Sequence, residues 1–145
     1  MQIKSRFPIA VHILMCIAFF KDQYRITSEF LAGSIGANPV IIRTVTSALR
    51  QAGLVQTRQG SADISITKPI NQITLYDVYL AVECVSDEGL FHLHEHPNPE
   101  CPVGRNIHAC LEPHLEKAQT AMEKVLKKTT LQTIVDEARA REQQR

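Results

Sequence analysis

The stretch TSEFLAGSIGANPVIIRTVTSALRQAG, Thr27 to Gly53, decides how this chain folds. Thr27 is a good N-cap for a short helix, SEFLAGSI, and Gly36 supplies the residue that closes it. Asn38 and Pro39 then give a cap and an N1 proline to a second helix, VIIRTVTSALRQA, which Gly53 ends. Two helices separated only by Gly36-Ala37-Asn38 are the outline of a helix-turn-helix. Downstream, LVQTRQGSADISIT (residues 54–67) alternates in polarity around a polar tip that contains a glycine, and reads as a hairpin. Upstream, residues 5–20 place Phe7, Ala10, Val11, Leu14 and Ala18 at helical spacing, with Pro8 where a first turn tolerates it. Helix, helix, helix, hairpin is the order of a winged helix-turn-helix.

The helix after Pro39 can be projected at about 100° per residue. Ile41, Val45, Ala48, Leu49 and Ala52 then share one side and are expected in the core. Arg43, Thr46, Ser47 and Arg50 share the other, with Asn38, Pro39 and Val40 at the leading end. That outer side has no acid. Arginine can grip guanine edges or phosphates, hydroxyls can bond to either, and Val40 can touch a thymine methyl. Arg58 at the hairpin tip is placed to enter a minor groove, where narrow A·T tracts attract arginine. Thr27, Ser28 and Gly60 complete the expected DNA-binding set. A merely solvated helix face has the same composition, and the flanking helix-turn and hairpin are what weigh against it.

The remainder of the chain narrows the function class. Its 145 residues, 44% hydrophobic, suit one domain or a small domain with a helical extension. No apolar run reaches the length of a membrane span, and no cleavage site follows the apolar stretch before Lys21, so the expected location is the cytoplasm. Net charge is +1, but residues 1–68 carry eight Lys/Arg against three Asp/Glu and residues 69–145 carry eight against twelve. A basic half joined to an acidic half points to a polyanion partner for the first, although scattered surface charge can give the same split. No nucleophile-base-orienter set, phosphate loop or HExxH is present, so an enzyme is not expected, nor is a cofactor.

In the second half, ITLYDVYLAVE (residues 73–83) reads as a helix with Thr74 as N-cap and Asp77 at N3. The loop HLHEHPNPECPVG (residues 92–104) follows. His92, His94 and His96 alternate, so an extended backbone would point all three to one side, where Cys101 could close a metal site. Alternatively, Pro102 at N1 of the next helix makes Cys101 its N-cap, where the helix dipole favours a thiolate and a redox-sensing role. The third possibility is that these residues only cap and aim that helix. The four cysteines are irregularly spaced, which suits thiols better than a disulfide frame, and Cys16 reads as a small core residue.

From Pro102 a long helix carries Val103, Ile107, Cys110, His114, Ala118, Ala121 and Val125 at near-heptad spacing, widened by Leu111, Leu115, Met122 and Leu126. Such a stripe exceeds what a small domain can cover, so a homodimer is expected, with Val103, Ile107, Leu111, Ala118, Met122 and Val125 at its interface. Pro113 should kink or divide this helix. A last helix begins at Thr130, with Leu131, Ile134 and Val135 inward. The expected division is a winged helix-turn-helix domain with its post-wing helix (1–83), an effector loop (84–101) and dimerisation helices (102–145). The fold class is mainly α with a small β-hairpin wing.

SRFPIAVHIL, LRQAGLVQTRQG, ITLYDVYLAVE and TTLQTIVDEA, in this order and spacing, resemble the Rrf-type family of bacterial winged-helix transcriptional regulators, whose members include IscR, NsrR and CymR. The resemblance covers nearly the whole chain. It implies a dimeric, usually repressing transcription factor on a palindromic DNA operator, with the long helix crossing to the partner. The chain departs from the family pattern at two places. The wing tip RQGSAD has one glycine, where the family has a glycine-rich run. Cluster-binding members have three closely spaced cysteines before the long helix, whereas here only Cys101 lies in that loop, flanked widely by Cys84 and Cys110. The resemblance is therefore to the subgroup without an iron–sulfur cluster.

Overall fold

The computed structural model describes residues 5–58, 60–82 and 89–145. The elements follow in the order α1 (Arg6–Phe20), α2 (Ser28–Ile35), α3 (Pro39–Gln51), β1 (Val55–Thr57), β2 (Ile64–Ile66), a 3-10 turn (Ile70–Gln72), α4 (Leu75–Ala81), α5 (Ile107–Lys128) and α6 (Leu131–Gln143). The expected caps form. Thr27 Oγ1 accepts from the Phe30 amide (3.2 Å) and Asn38 Oδ1 from the Val40 amide (2.8 Å). Gly36 closes α2 at φ +72°, a left-handed conformation that costs glycine little. At α4 a capping box joins Thr74 and Asp77, each side chain accepting from the other's backbone N–H at 3.1 and 2.9 Å.

Packing is organised around α1. Ala10, Ile13, Leu14, Cys16, Ile17 and Ala18 are all buried, so most of its circumference faces protein. It touches α2, α3, α4, α6 and β2. The core continues through Ile26, Leu31, Ile42, Val45, Leu49 and Val55 to Ile73, Val78, Leu131 and Val135. The wing is a two-stranded antiparallel hairpin in the register Val55↔Ile66, Gln56↔Ser65 and Thr57↔Ile64. Helix-turn-helix and wing together form a winged helix.

The second half differs from expectation in two respects, both in its long helix. The long helix starts at Ile107 with Asn106 as its cap position, because residues 101–106 fold into turns first. It then runs through Pro113 as one element of 22 residues, so the proline does not divide it. The last helix, capped by Thr130 as expected, folds back onto α1. Leu131 N donates to Ile73 O (2.8 Å) and Leu75 N to Thr129 O (2.9 Å), so a single β-bridge, Thr74↔Thr130, ties the starts of α4 and α6 together. Leu131 and Val135 are fully buried and Ile134 is half-buried. The expected end of the post-wing helix at Glu83, and Cys84, lie outside the described residues.

On α1, half-buried His12 places Nε2 3.0 Å from Ser34 Oγ, which also lies 3.3 Å from Cys16 Sγ. Burial lowers the His12 pKa below 6.5 and raises that of the Cys16 thiol, the Ser34 bond partly opposing the latter. A depressed histidine binds fewer protons folded than unfolded. Its contribution to stability is thus complete above about pH 6.5 and is lost as the pH falls below that value. Thermal melts on descending from about pH 7.5 to about pH 5 should show a smaller loss of midpoint for His12→Gln than for the native protein.

Candidate nucleic-acid interface

Helix α3 presents an acid-free surface, but not the one expected from projection. Buried on it are Ile42, Val45, Thr46 and Leu49. Ile41, placed in the core by the sequence, is 44% exposed, and Val40 is 62% exposed. The inward side is therefore rotated by about 70° from the expected one. Ile41-Val45-Ala48-Leu49-Ala52 and Ile42-Val45-Thr46-Leu49 both satisfy helical spacing, with Val45 and Leu49 common to the two. The choice between Ile41 and Ile42 falls to tertiary packing, which takes Ile42 into the core shared with α1.

Thr46 must accordingly be removed from the DNA-facing set. It is 3% exposed, too deep to reach a ligand, and its Oγ1 has no hydrogen-bond partner among the described residues. Arg43 is exposed and Ser47 half-buried, while Thr44 and Gln51, absent from the sequence-derived set, stand on the true outer side. Arg43, Thr44, Ser47 and Gln51 line a cleft of about 680 Å³ together with Arg6 from the start of α1. Arg6 was not legible as a site residue, since only tertiary packing brings α1 beside α3. Thr44 Oγ1 donates to the Val40 carbonyl at 2.9 Å, and Arg50 Nη2 to Thr57 Oγ1 at 2.7 Å, so Arg50 links the helix to the wing.

At the leading end, Asn38, Pro39 and Val40 are exposed. The Asn38 and Thr27 side-chain oxygens are occupied by the caps, and Ser28 is half-buried beside Thr27. Arg58 is exposed at the wing tip, its amide donating to the Asp63 carbonyl (3.3 Å) and its carbonyl accepting from the Ser61 amide (3.0 Å). Gly60 turns the tip at φ +78°. The single glycine of RQGSAD therefore sits where the backbone requires one.

The 92–104 loop does not assemble the sites considered for it. His92, His94 and His96 are exposed. Instead of converging with Cys101, the His94 ring meets the His108 ring edge-on at 5.3 Å, and His108 Nε2 lies 2.9 Å from the His94 carbonyl oxygen. Cys101 is half-buried and heads an isolated turn, its carbonyl accepting from the Arg105 amide at 3.0 Å. It is not the N-cap of the long helix, so the dipole argument for its thiolate does not apply. Gly104 explains the turn: a Cβ there would collide with the Asn98 backbone.

Helix α5 buries no residue. It packs on α4, where Lys127 Nζ lies 4.5 Å from the Tyr76 ring centroid, and Gln119 Oε1 accepts from the Leu90 amide at 2.9 Å. Of the expected interface set, Ile107 and Met122 are half-buried, while Leu111, Ala118 and Val125 are exposed. Val103 is 70% exposed and lies in the turns before α5.

Residues 3–137 match the profile of the Rrf2 family, described as iron-dependent transcriptional regulator. The chain belongs to the Rrf2 family. It is 38% identical over 135 residues to YwnA of Bacillus subtilis (strain 168), which carries the provisional name of an HTH-type transcriptional regulator; the match covers 93% of this chain and 98% of YwnA. A crystal structure of a protein provisionally described as DNA-binding is 32% identical, covers 90% of this chain and 98% of that one, and superposes with a TM-score of 0.71. CymR, the global cysteine regulator of B. subtilis, shares the fold at 19% identity with a TM-score of 0.69, over 94% of this chain and 97% of its own. The Rrf2 assignment places the chain among transcriptional regulators and not among enzymes.

Iron, named in the family description, needs a donor set. Among the described residues no three His, Cys, Asp or Glu side chains are gathered as metal ligands. Cys101 and Cys110 are free thiols. The described donors do not fit an iron–sulfur cluster, whose usual ligands are cysteine thiolates brought together.

The buried Thr46 hydroxyl yields a direct test of the rotated helix. Thr46→Val replaces an unpartnered polar group with a methyl and should raise unfolding free energy by about 1 kcal/mol in urea titrations. Affinity for DNA should stay unchanged, whereas a lost contact on the originally expected side would lower it.

Proposed function

We propose that this Rrf2 protein is a homodimeric, sequence-specific DNA-binding regulator that represses transcription from a palindromic operator in the cytoplasm. The observation that carries the reading is the exposed, acid-free surface of α3, flanked by Arg58 on the wing. Val40, Arg43, Thr44, Ser47 and Gln51 supply a methyl contact, a bidentate cation and polar groups suited to base edges or phosphates. Arg58 supplies the minor-groove cation, and Arg6 and Arg50 border the same surface.

Dimerisation is proposed from α5. A 22-residue helix with no fully buried residue leaves Leu111 and Val125 exposed and Ile107, Leu115, Met122 and Leu126 only half-buried. A second copy removes that cost and presents two α3 helices to the two halves of a palindrome. A groove of about 840 Å³ along α1, bordered by Phe7, Val11, Met15 and Phe19 with Ile134 and Ala138 of α6, offers a crossing helix an apolar seat. The reading does not extend to a metal in the histidine loop, or to Cys101 as a sensor, since the geometry that favoured each is not formed.

Duplexes selected from a random pool supply the operator for the test. Affinity measured by fluorescence anisotropy should fall steeply with salt, because bound phosphates release counterions. Arg43→Ala should weaken binding by roughly ten- to a hundredfold and relax preference at one base position of each half-site. Undiminished binding by that variant would remove α3 from the interface. In sedimentation velocity the native chain should run at twice its chain mass, and Leu111→Asp should shift it to a single chain; a native monomer at micromolar concentration would end the dimer reading.

A further inference from the structure

The wing is too small to hold its own position. Its strands are three residues each, and a two-stranded hairpin is marginal in water without further support. Yet Arg58 at its tip can reach a groove only if the hairpin stands at a set height above α3.

The support comes from the connection between α1 and α2. Arg25 Nη2 donates to Ser61 Oγ at 2.8 Å, and the same oxygen accepts from the Asp63 amide at 3.2 Å. Ser61 N donates to the Arg58 carbonyl at 3.0 Å, so the residue held by Arg25 is also the one that folds the tip back on Arg58. One residue on, Ile26 N donates to Asp63 Oδ1 at 3.1 Å, and Ile26 O accepts from Ile64 N at 3.0 Å. Ile26 itself is buried, which anchors this connection in the core. On the other edge Arg50 binds Thr57. The hairpin is thus braced from one side by the α1–α2 connection at the tip, and from the other by α3 at Thr57, the last residue of β1 before the tip.

We infer that Arg25 is a positioning residue for DNA recognition: through Ser61 it sets the wing tip so that Arg58 meets the DNA, and it makes no contact with DNA itself. This rests on the reading of Arg58 as a DNA contact. The sequence placed Arg25 in a polar turn, and only the fold brings it to a segment 36 residues away.

Operator affinity of Arg25→Ala, Ser61→Ala, Arg58→Ala and the Arg25→Ala/Arg58→Ala double variant decides the matter. Ser61→Ala removes no charge, yet it and Arg25→Ala should each weaken binding by about fivefold, the scale of one net hydrogen bond. In the Arg58→Ala background Arg25→Ala should cost nothing more, the mark of two residues acting through one contact. Amide exchange at Ser61 should quicken in Arg25→Ala while the thermal midpoint holds, separating a loosened tip from a damaged fold. If Ser61→Ala binds like the native protein and the two arginine losses simply add, Arg25 touches the backbone phosphates directly and the inference is overturned. If Arg58→Ala itself binds normally, the Arg58 reading fails and this inference falls with it.

Discussion

Burial of one broad side of α1 is the constraint from which the other positions follow. A helix with Ala10, Ile13, Leu14, Cys16, Ile17 and Ala18 all inside cannot shift without opening several interfaces at once. Helices α2, α3, α4 and α6 and strand β2 each take their place against it. The turn at Gly36 and Asn38 sets the angle between α2 and α3, and Ile42, Val45 and Leu49 set the roll of α3 about its own axis. What is left outward on α3 is the surface available for DNA.

That outward surface is defined by subtraction. Helical spacing alone leaves two inward sides for VIIRTVTSALRQ, about 70° apart. The one realised keeps Val45 and Leu49 inside, adds Ile42, and takes Thr46 in with them. It releases Ile41 and turns Thr44 and Gln51 outward beside Arg43. A small roll thus changes the set of residues that can meet a base, while the acid-free character of the surface survives because the helix contains no acid in any register.

The C-terminal half is organised differently. Helix α6 belongs with α1 in the core, whereas α5 rests on α4 and leaves Leu111 and Val125 exposed. Turns at 98–106, with Gly104 pressed against Asn98, delay the start of α5 to Ile107. Cys101 thereby loses the helix end that proline placement had suggested for it. His94 is drawn to His108 rather than to its neighbours in the loop.

The amino-acid sequence by itself determined the element order, the caps at Thr27, Asn38, Thr74 and Thr130, the hairpin, and the absence of acid from α3. These are legible because a cap, a turn glycine or a β-alternation acts over a few residues and leaves its mark locally. Tertiary structure alone decided the roll of α3, the burial of Thr46, the approach of Arg6 to α3 and the brace from Arg25 to Ser61. Each depends on which of two locally equivalent helix faces the rest of the core receives, or on a contact between segments distant in the chain. Local rules assign no energy to either, so these features emerge only when the whole core closes.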